Sequence, residues 1–427
     1  MNNKGTQALL STDIFILKEI VKDVFISVST TDMNGVKKLG LPIDMVSPTI
    51  IDLPYEKADR LTKKLRISRR SFTYKSFALG SLFLFFFQTF LAFASLVLHK
   101  ISLPILYRKE NLKLISESDL VISCSDENFK EAASLLPLNI YWILTWWTML
   151  FARTVEVMVA KSLGKPVVMF PNSVGPFRTW VGRFLSRLAL NNCAAIIIRD
   201  PISYDIVKSI GINCQKFLTS DMALLYTPKK KVMTETFGHP TIGVCPGVYS
   251  FSISAKQIER YAIEHAKALD AAIERFGFNV FFLPHYISGF EYDDFEISKL
   301  IFDKMKYKKN ARILCIGDLE NFKSMINQMD LIISSKMHPA VLAVSGYTPT
   351  ISIVYDHKQL GFFKDLGLSE FAISLQDLSG DKLFSTISLA WSEKGKIKTL
   401  LASQVPKMQE NIKIVLVKTI EPFVNCQ

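Results

Sequence analysis

No Cys-x-x-Cys pair and no framework spacing occurs among Cys124, Cys193, Cys214, Cys245, Cys315 and Cys426. That argues against a disulfide scaffold, and several of these residues lie in or beside apolar runs, where a free thiol is a small hydrophobe. Reduced thiols in a cytosolic protein are the expectation. No metal-ligand spacing appears, and neither a metal nor a cofactor is expected. No signal peptide is visible, because Met1 opens directly into the polar NNKGT. Charge is absent from Phe77 to Leu98, where Gln88 is the one strongly polar side chain.

What the chain has in quantity is apolar surface. Of its 427 residues 49% are hydrophobic, Phe occurs 31 times, and the length points to two domains. The net charge of +12 admits nucleic acid, an anionic membrane or a phosphorylated substrate. Nucleic acid is not expected, because the cations cluster around an apolar run and do not alternate with stacking aromatics.

The opening NNKGT reads as a loop entering a helix, with Asn3 and Gly5 where free N–H groups can meet an anion. No strand precedes it, so either the start is truncated or the first sheet lacks a strand that is usually central. Val24–Ser29 reads as a strand, and Met45–Leu53 is a second apolar run. Basic residues from Lys57 to Lys75 lead into Phe77–Leu98, and His99, Lys100, Arg108 and Lys109 follow. Twenty-two residues at about 1.5 Å each are long enough to span a bilayer. A span would divide one domain across the membrane. Attachment to an anionic surface without crossing avoids that and is the expectation, with core burial and a true span as the alternatives.

Beyond it the pattern alternates. DLVISC is a strand ending in the polar SDENFKE, Tyr141–Phe151 a Trp-rich apolar helix, and Lys165–Phe170 a strand ending in the loop PNSVGPF. AAIII ends in Arg199 and Asp200. TPKKK reads as a linker, and the second half repeats the alternation through TIGVCPG, NVFFLPH, ARILCIG and DLIISS. Two doubly wound α/β domains facing a cleft are expected, in the Rossmann-like, glycosyltransferase-B-like fold class, with a hydrophobic helical insert in the first. The expected bounds are 1–228 on the acceptor side and 238–395 on the donor side. Residues 396–427 form a helix packing back on both, kinked or divided at Pro406.

DLIISSKMHPAVLAVSGYTPTISIVYDHK is a buried strand, a polar turn, a helix closed by Gly346, and a second buried strand. Ser335, Lys336 and His338 fall at the first strand's carboxyl end, where open α/β sheets bind ligands. A cation and a histidine two residues apart suit an anionic substrate.

Together NNKGTQALL, SVGPFRTWVGRFLSRLALNNCAAIIIRDPISYDIVKSIGI, SDMALLY and SSKMHPAVLAVSGYTPTISIVYDHK resemble the polysaccharide pyruvyl transferase family in order and spacing over nearly the whole chain. The resemblance implies phosphoenolpyruvate as donor and a pair of sugar hydroxyls as acceptor, on a cell-surface polysaccharide or lipid-linked glycan. It implies His338 as proton donor, Lys336 as ligand of phosphate or carboxylate, and Arg199 as a clamp on the donor carboxylate. Asn3, Gly5 and Ser335 would line the site, His285 would orient the sugar, and Tyr355 and Lys358 would close the donor side. The family usually has Arg at position 336. Lys offers a point charge in place of a bidentate fork, and SCSDENF lacks the Gly-rich turn often found there. The rival readings are a B-type glycosyltransferase using a nucleotide-sugar and a membrane-attached glycan-binding protein with a decayed site. The location expected is the cytoplasmic face of a membrane.

Overall fold

A computed structural model describes residues 3–50, 76, 80, 83, 87, 109–131, 140–228, 240–248, 254–287 and 293–424. The apolar segment 77–98 lies outside the described residues except at Gly80, Phe83 and Phe87. Among the described residues no helix is long and apolar enough to cross a membrane. The chain divides into two compact units, residues 10–219 with 412–427, and residues 2–9 with 220–411. The opening residues, expected in the first domain, therefore belong to the second unit.

In the first unit the strands are β1 (Ser27–Ser29), β2 (Met45–Ser47), β3 (Val121–Ser123), β4 (Asp126–Phe129), β5 (Val167–Val174), β6 (Ala195–Ile198) and β7 (Gln215–Leu218). Helices α1 (Lys4–Ile20), α2 (Met33–Lys38), α3 (Lys109–Glu117), α4 (Ile140–Ser162), α5 (Trp180–Asn191) and α6 (Pro201–Ser209) alternate with them, α1 beginning in the second unit. The main sheet is wholly parallel in the order β3-β5-β6-β7, with β4 also on β5, while β1 and β2 pair separately. The polar DENF that follows DLVISC is itself the paired strand β4, and PNSVGPF, expected as a loop, is partly strand: β5 runs through Pro171 and Asn172 to Val174 with all eight residues buried.

The second unit has β8 (Thr241–Cys245), β9 (Asn279–Phe282), β10 (Ala311–Ile313), β11 (Leu331–Ser334), β12 (Thr350–Val354) and β13 (Ala372–Ser374). Its helices are α7 (Ala255–Phe276), α8 (Asp294–Lys304), α9 (Leu319–Gln328), α10 (Met337–Val344), α11 (His357–Asp365), α12 (Gly380–Ser392) and α13 (Lys394–Ile420), the last continuing into the first unit. The sheet is parallel in the order β10-β9-β8-β11-β12-β13. Numbered from its own first strand that order is 3-2-1-4-5-6, the doubly wound Rossmann order, which reverses between β8 and β11. Both of those strands are buried end to end, as unbroken runs such as LIIS require.

Pro406 does not divide α13, which is one helix from Lys394 to Ile420. Gly346 does not supply a left-handed turn after α10. The residue with positive φ is Tyr347, at 61°. Gly346 is small because the side-chain amide of Asn327 occupies the space a Cβ would need.

At the other edge of the strands Asp330 joins β8 to β11. Its Oδ2 accepts from the Thr241 N–H at 2.9 Å and the Thr241 hydroxyl at 3.0 Å, and Oδ1 pairs with the Lys394 ammonium. Asp330→Ala strands these donors in a half-buried place, so urea unfolding should show a loss of about 2–3 kcal/mol, and Asp330→Asn a smaller one. Equal stability of Asp330→Ala and wild type would show that the junction carries no load.

Candidate functional site

The site is built where the strand order of the second unit reverses. Lys336 is the N-cap residue of α10, in extended backbone, and Pro339 falls in that helix's first turn, where a missing N–H costs little. The turn before it is fixed locally. The Ser334 hydroxyl donates to Lys336 O at 2.7 Å, and the Lys336 N–H donates back to that hydroxyl at 3.2 Å. His338 thereby lies in the first turn of α10 and is nearly buried, at 9% exposure.

Two glycines shape the surroundings of these side chains. Gly5 lies so close to His338 that an added Cβ would fall on the imidazole. Gly247, just past β8, lies likewise against the Lys336 stem. The Lys336 ammonium is 2.6 Å from Asp294 Oδ1 and stands over the Tyr286 ring at 5.5 Å. Asp294 is the first residue of α8. Its Oδ2 accepts from the Tyr286 N–H at 2.8 Å and the His285 N–H at 3.2 Å. Burial raises the pKa of Asp294, opposed by Lys336 and the Tyr286 N–H.

The opening of the chain enters the same place. Asn3 bridges to Tyr286, and its Oδ1 accepts from the Gly5 N–H at 2.9 Å and the Thr6 N–H at 3.4 Å. Two of the N–H groups expected to meet an anion are therefore taken by Asn3, which caps α1. The cation is Lys4, which the sequence reading passed over. It is 4% exposed and donates to His285 O at 3.2 Å and Pro284 O at 3.5 Å, over the Phe322 ring. Burial lowers its pKa, opposed by Asp294. Its signal was its place between Asn3 and Gly5.

His285 follows β9 and is buried between Phe322, at 5.7 Å between ring centroids, and His338, stacked at 6.5 Å with an interplanar angle of 20°. Among the described residues neither of its ring nitrogens has a hydrogen-bond partner. Burial first, then the Lys336, His338 and Lys4 charges, push its pKa well below the ordinary 6.5. At neutral pH it is a neutral ring, unsuited to donate a proton from a charged form. The Ser335 hydroxyl is hydrogen-bonded to the Tyr261 hydroxyl, and its N–H donates to Cys245 O at 3.0 Å.

The remaining expected residues lie elsewhere. Tyr355 and Lys358 follow β12, one strand further along the same sheet. The Tyr355 N–H donates to Gln359 at 3.2 Å, and the buried Lys358 ammonium is 3.8 Å from Asp356. Arg199 is in the first unit, where Nε donates to the Ser173 hydroxyl at 2.8 Å and Nη2 is 3.8 Å from Glu127. Ser173 in turn donates to Asp200 at 2.9 Å, and Asp200 caps α6 by accepting from the Ser203 N–H at 2.7 Å. These bonds tie strand to helix. Asp221 has a cap role, accepting from the Ala223 N–H at 2.9 Å. Among the described residues no group of His, Cys, Asp and Glu is arranged to hold a metal ion.

Two parallel-sheet Rossmann units define the class, the glycosyltransferase-B-like fold. A UDP-GlcNAc 2-epimerase from Neisseria meningitidis bound to UDP-GlcNAc is similar with a TM-score of 0.55, at 11% identity over 98% of this chain and 96% of that one. MnaA from S. aureus, in a co-structure with UDP, has a TM-score of 0.54 at 9% identity over 94% and 88%. Within that fold the family model described as polysaccharide pyruvyl transferase matches residues 17–357, and the chain belongs to that family. The amylovoran biosynthesis protein AmsJ of Erwinia amylovora is 25% identical over 260 residues, 56% of this chain and 60% of that relative. The chain thus spans about 60% of the length of that curated relative.

Two predictions follow from the geometry. Gly5→Ala displaces the His338 imidazole, so turnover should fall at least about tenfold while thermal unfolding of the second unit stays within a few degrees of wild type. Unchanged turnover would separate His338 from the reaction. The second concerns acid. His265, buried in α7, has its pKa lowered from 6.5 to about 4 by burial, and His285 is lowered as well. The unfolded chain binds these protons first, so stability is full above pH 6.5 and falls as pH drops toward 4, by on the order of 3 kcal/mol for His265. His265→Gln should flatten that slope in denaturant titrations; an unchanged slope counts against it.

Proposed function

We propose that this chain transfers the pyruvyl group of phosphoenolpyruvate to two hydroxyls of a sugar in a polysaccharide or lipid-linked glycan, forming a cyclic ketal and releasing phosphate. The observation that carries the reading is the His338 imidazole, seated against Gly5 two residues from the Lys336 cation. His338 in its charged form gives a proton to the methylene carbon of phosphoenolpyruvate, and the central carbon becomes electrophilic. One sugar hydroxyl adds there, the bond to the phosphate oxygen breaks, and the second hydroxyl closes the ring. Of the two hydroxyl protons released, one restores His338 and one leaves with phosphate.

The roles of the other groups follow from charge. Lys336 meets the donor phosphate or carboxylate, sharing its ammonium with Asp294, and Lys4 adds positive potential from the opening of the chain. Asn3, Gly5 and Ser335 line the donor site, neutral His285 offers its ring nitrogens to the acceptor, and Tyr355 and Lys358 close the donor side. The chemistry requires no metal. The protein works at the cytoplasmic face of an anionic membrane, attached through residues 77–98.

The test is to incubate the purified chain with phosphoenolpyruvate and lipid-linked sugars and follow phosphate release and ketal formation. His338→Ala should lower both by a factor of about a hundred or more, the usual contribution of a positioned general acid. A wild-type rate in that variant removes the proton-donor role. Turnover with a nucleotide-sugar alone assigns the chain to glycosyl transfer, and turnover with neither donor assigns it to glycan binding.

A further inference from the structure

Helix α5 has two faces that do not match the usual division into apolar and polar. Its inner face buries Gly182, Leu185, Ser186, Ala189 and Leu190. Its outer stripe, at the i, i+3, i+4, i+7 spacing of one helix face, is Trp180, Arg183, Phe184 and Arg187. Trp180 is 76% exposed and Phe184 57%, and both arginines are exposed, as is Arg178 just before the helix. No Asp or Glu occurs between Glu156 and Asp200, so the stripe has no acid of its own stretch beside it. Glu131, at the helix N-terminus, is buried and accepts from the Thr179 N–H at 2.8 Å and the Trp147 indole at 3.0 Å.

Two aromatic rings left in water between guanidinium groups fit one environment. The rings enter the boundary of headgroups and acyl chains, and the guanidinium groups stay at the phosphates. We propose that this face of α5 docks on a bilayer surface containing anionic lipid. A second copy of the chain would set the two arginine stripes against each other. The stripe shares no residue with the apolar segment 77–98, and the inference does not rest on the transferase reading.

The test uses the full chain with vesicles of phosphatidylcholine, with and without phosphatidylglycerol. Arg183→Gln with Arg187→Gln should lower partitioning onto the phosphatidylglycerol vesicles about thirtyfold and leave the neutral vesicles unaffected. Trp180→Ser with Phe184→Ser should lower partitioning onto both. Brominated acyl chains should quench a component of the tryptophan emission that Trp180→Phe removes, a readout independent of affinity. Variants that partition as wild type does, a wild-type chain that does not partition, or quenching unchanged by Trp180→Phe would each overturn the proposal. So would a wild-type dimer that the variants dissolve, which assigns the face to a second copy. An acidic protein that binds the stripe while vesicles do not has the same consequence.

Discussion

Asp294 is a carboxylate removed from water, and such a group persists only where other donors replace its hydration. Those donors come from the parts of the second unit that matter. The His285 and Tyr286 N–H groups hold one oxygen, and the Lys336 ammonium holds the other. The end of β9, the start of α8 and the start of α10 are thereby tied to one point. Lys4 is drawn to the same point, because its charge is partly sustained by Asp294 while its protons go to the Pro284 and His285 carbonyls. Remove the carboxylate and the Lys4 and Lys336 ammonium groups lose the negative charge that offsets them.

The helix bearing His338 is also held at its far end. Lys323 of α9 is 2% exposed and donates to Leu342 O and the Ser345 hydroxyl, at the C-terminus of α10. With no carboxylate among those acceptors, burial lowers its pKa to about 7. A cation at a helix C-terminus is favoured by the helix dipole, which offsets part of that burial cost. Both ends of an eight-residue helix are thus fixed by lysines, one at the site and one behind it. A short helix positioned in this way can carry a histidine whose direction matters.

The second unit was largely legible in the sequence because its strands are unbroken apolar runs separated by well-capped helices. Ser254, Asp293 and Asp318 each cap the helix that follows. The first unit was less so where polar residues do the work of backbone. Pro171 and Asn172 read as a turn, yet Asn172 keeps β5 extended. Its amide donates to Phe170 O at 2.8 Å and Cys124 O at 3.0 Å, and its oxygen accepts from the Asn128 N–H at 3.1 Å. DENF is polar and still a strand for the same reason. The site's polar motifs at 335–338 were legible because they follow a recognisable strand. Lys4 and Asp294 were not, because their roles come from contacts across 280 and 281 residues and from a loop-to-helix junction.

The family resemblance implies Arg at position 336, and the contacts there give Lys a physical reason. A guanidinium pairs best with both oxygens of a carboxylate. At Asp294 one oxygen is already taken by the two backbone N–H groups, which leaves a single oxygen for the cation. A point charge satisfies that geometry and a fork does not. The stem agrees with the head, since Gly247 lies flat against the Lys336 methylenes and leaves no room there for a side chain of its own. An ammonium so held keeps protons for a second acceptor while it stands over the Tyr286 ring. The departure therefore belongs with Asp294 and Gly247 as one local arrangement.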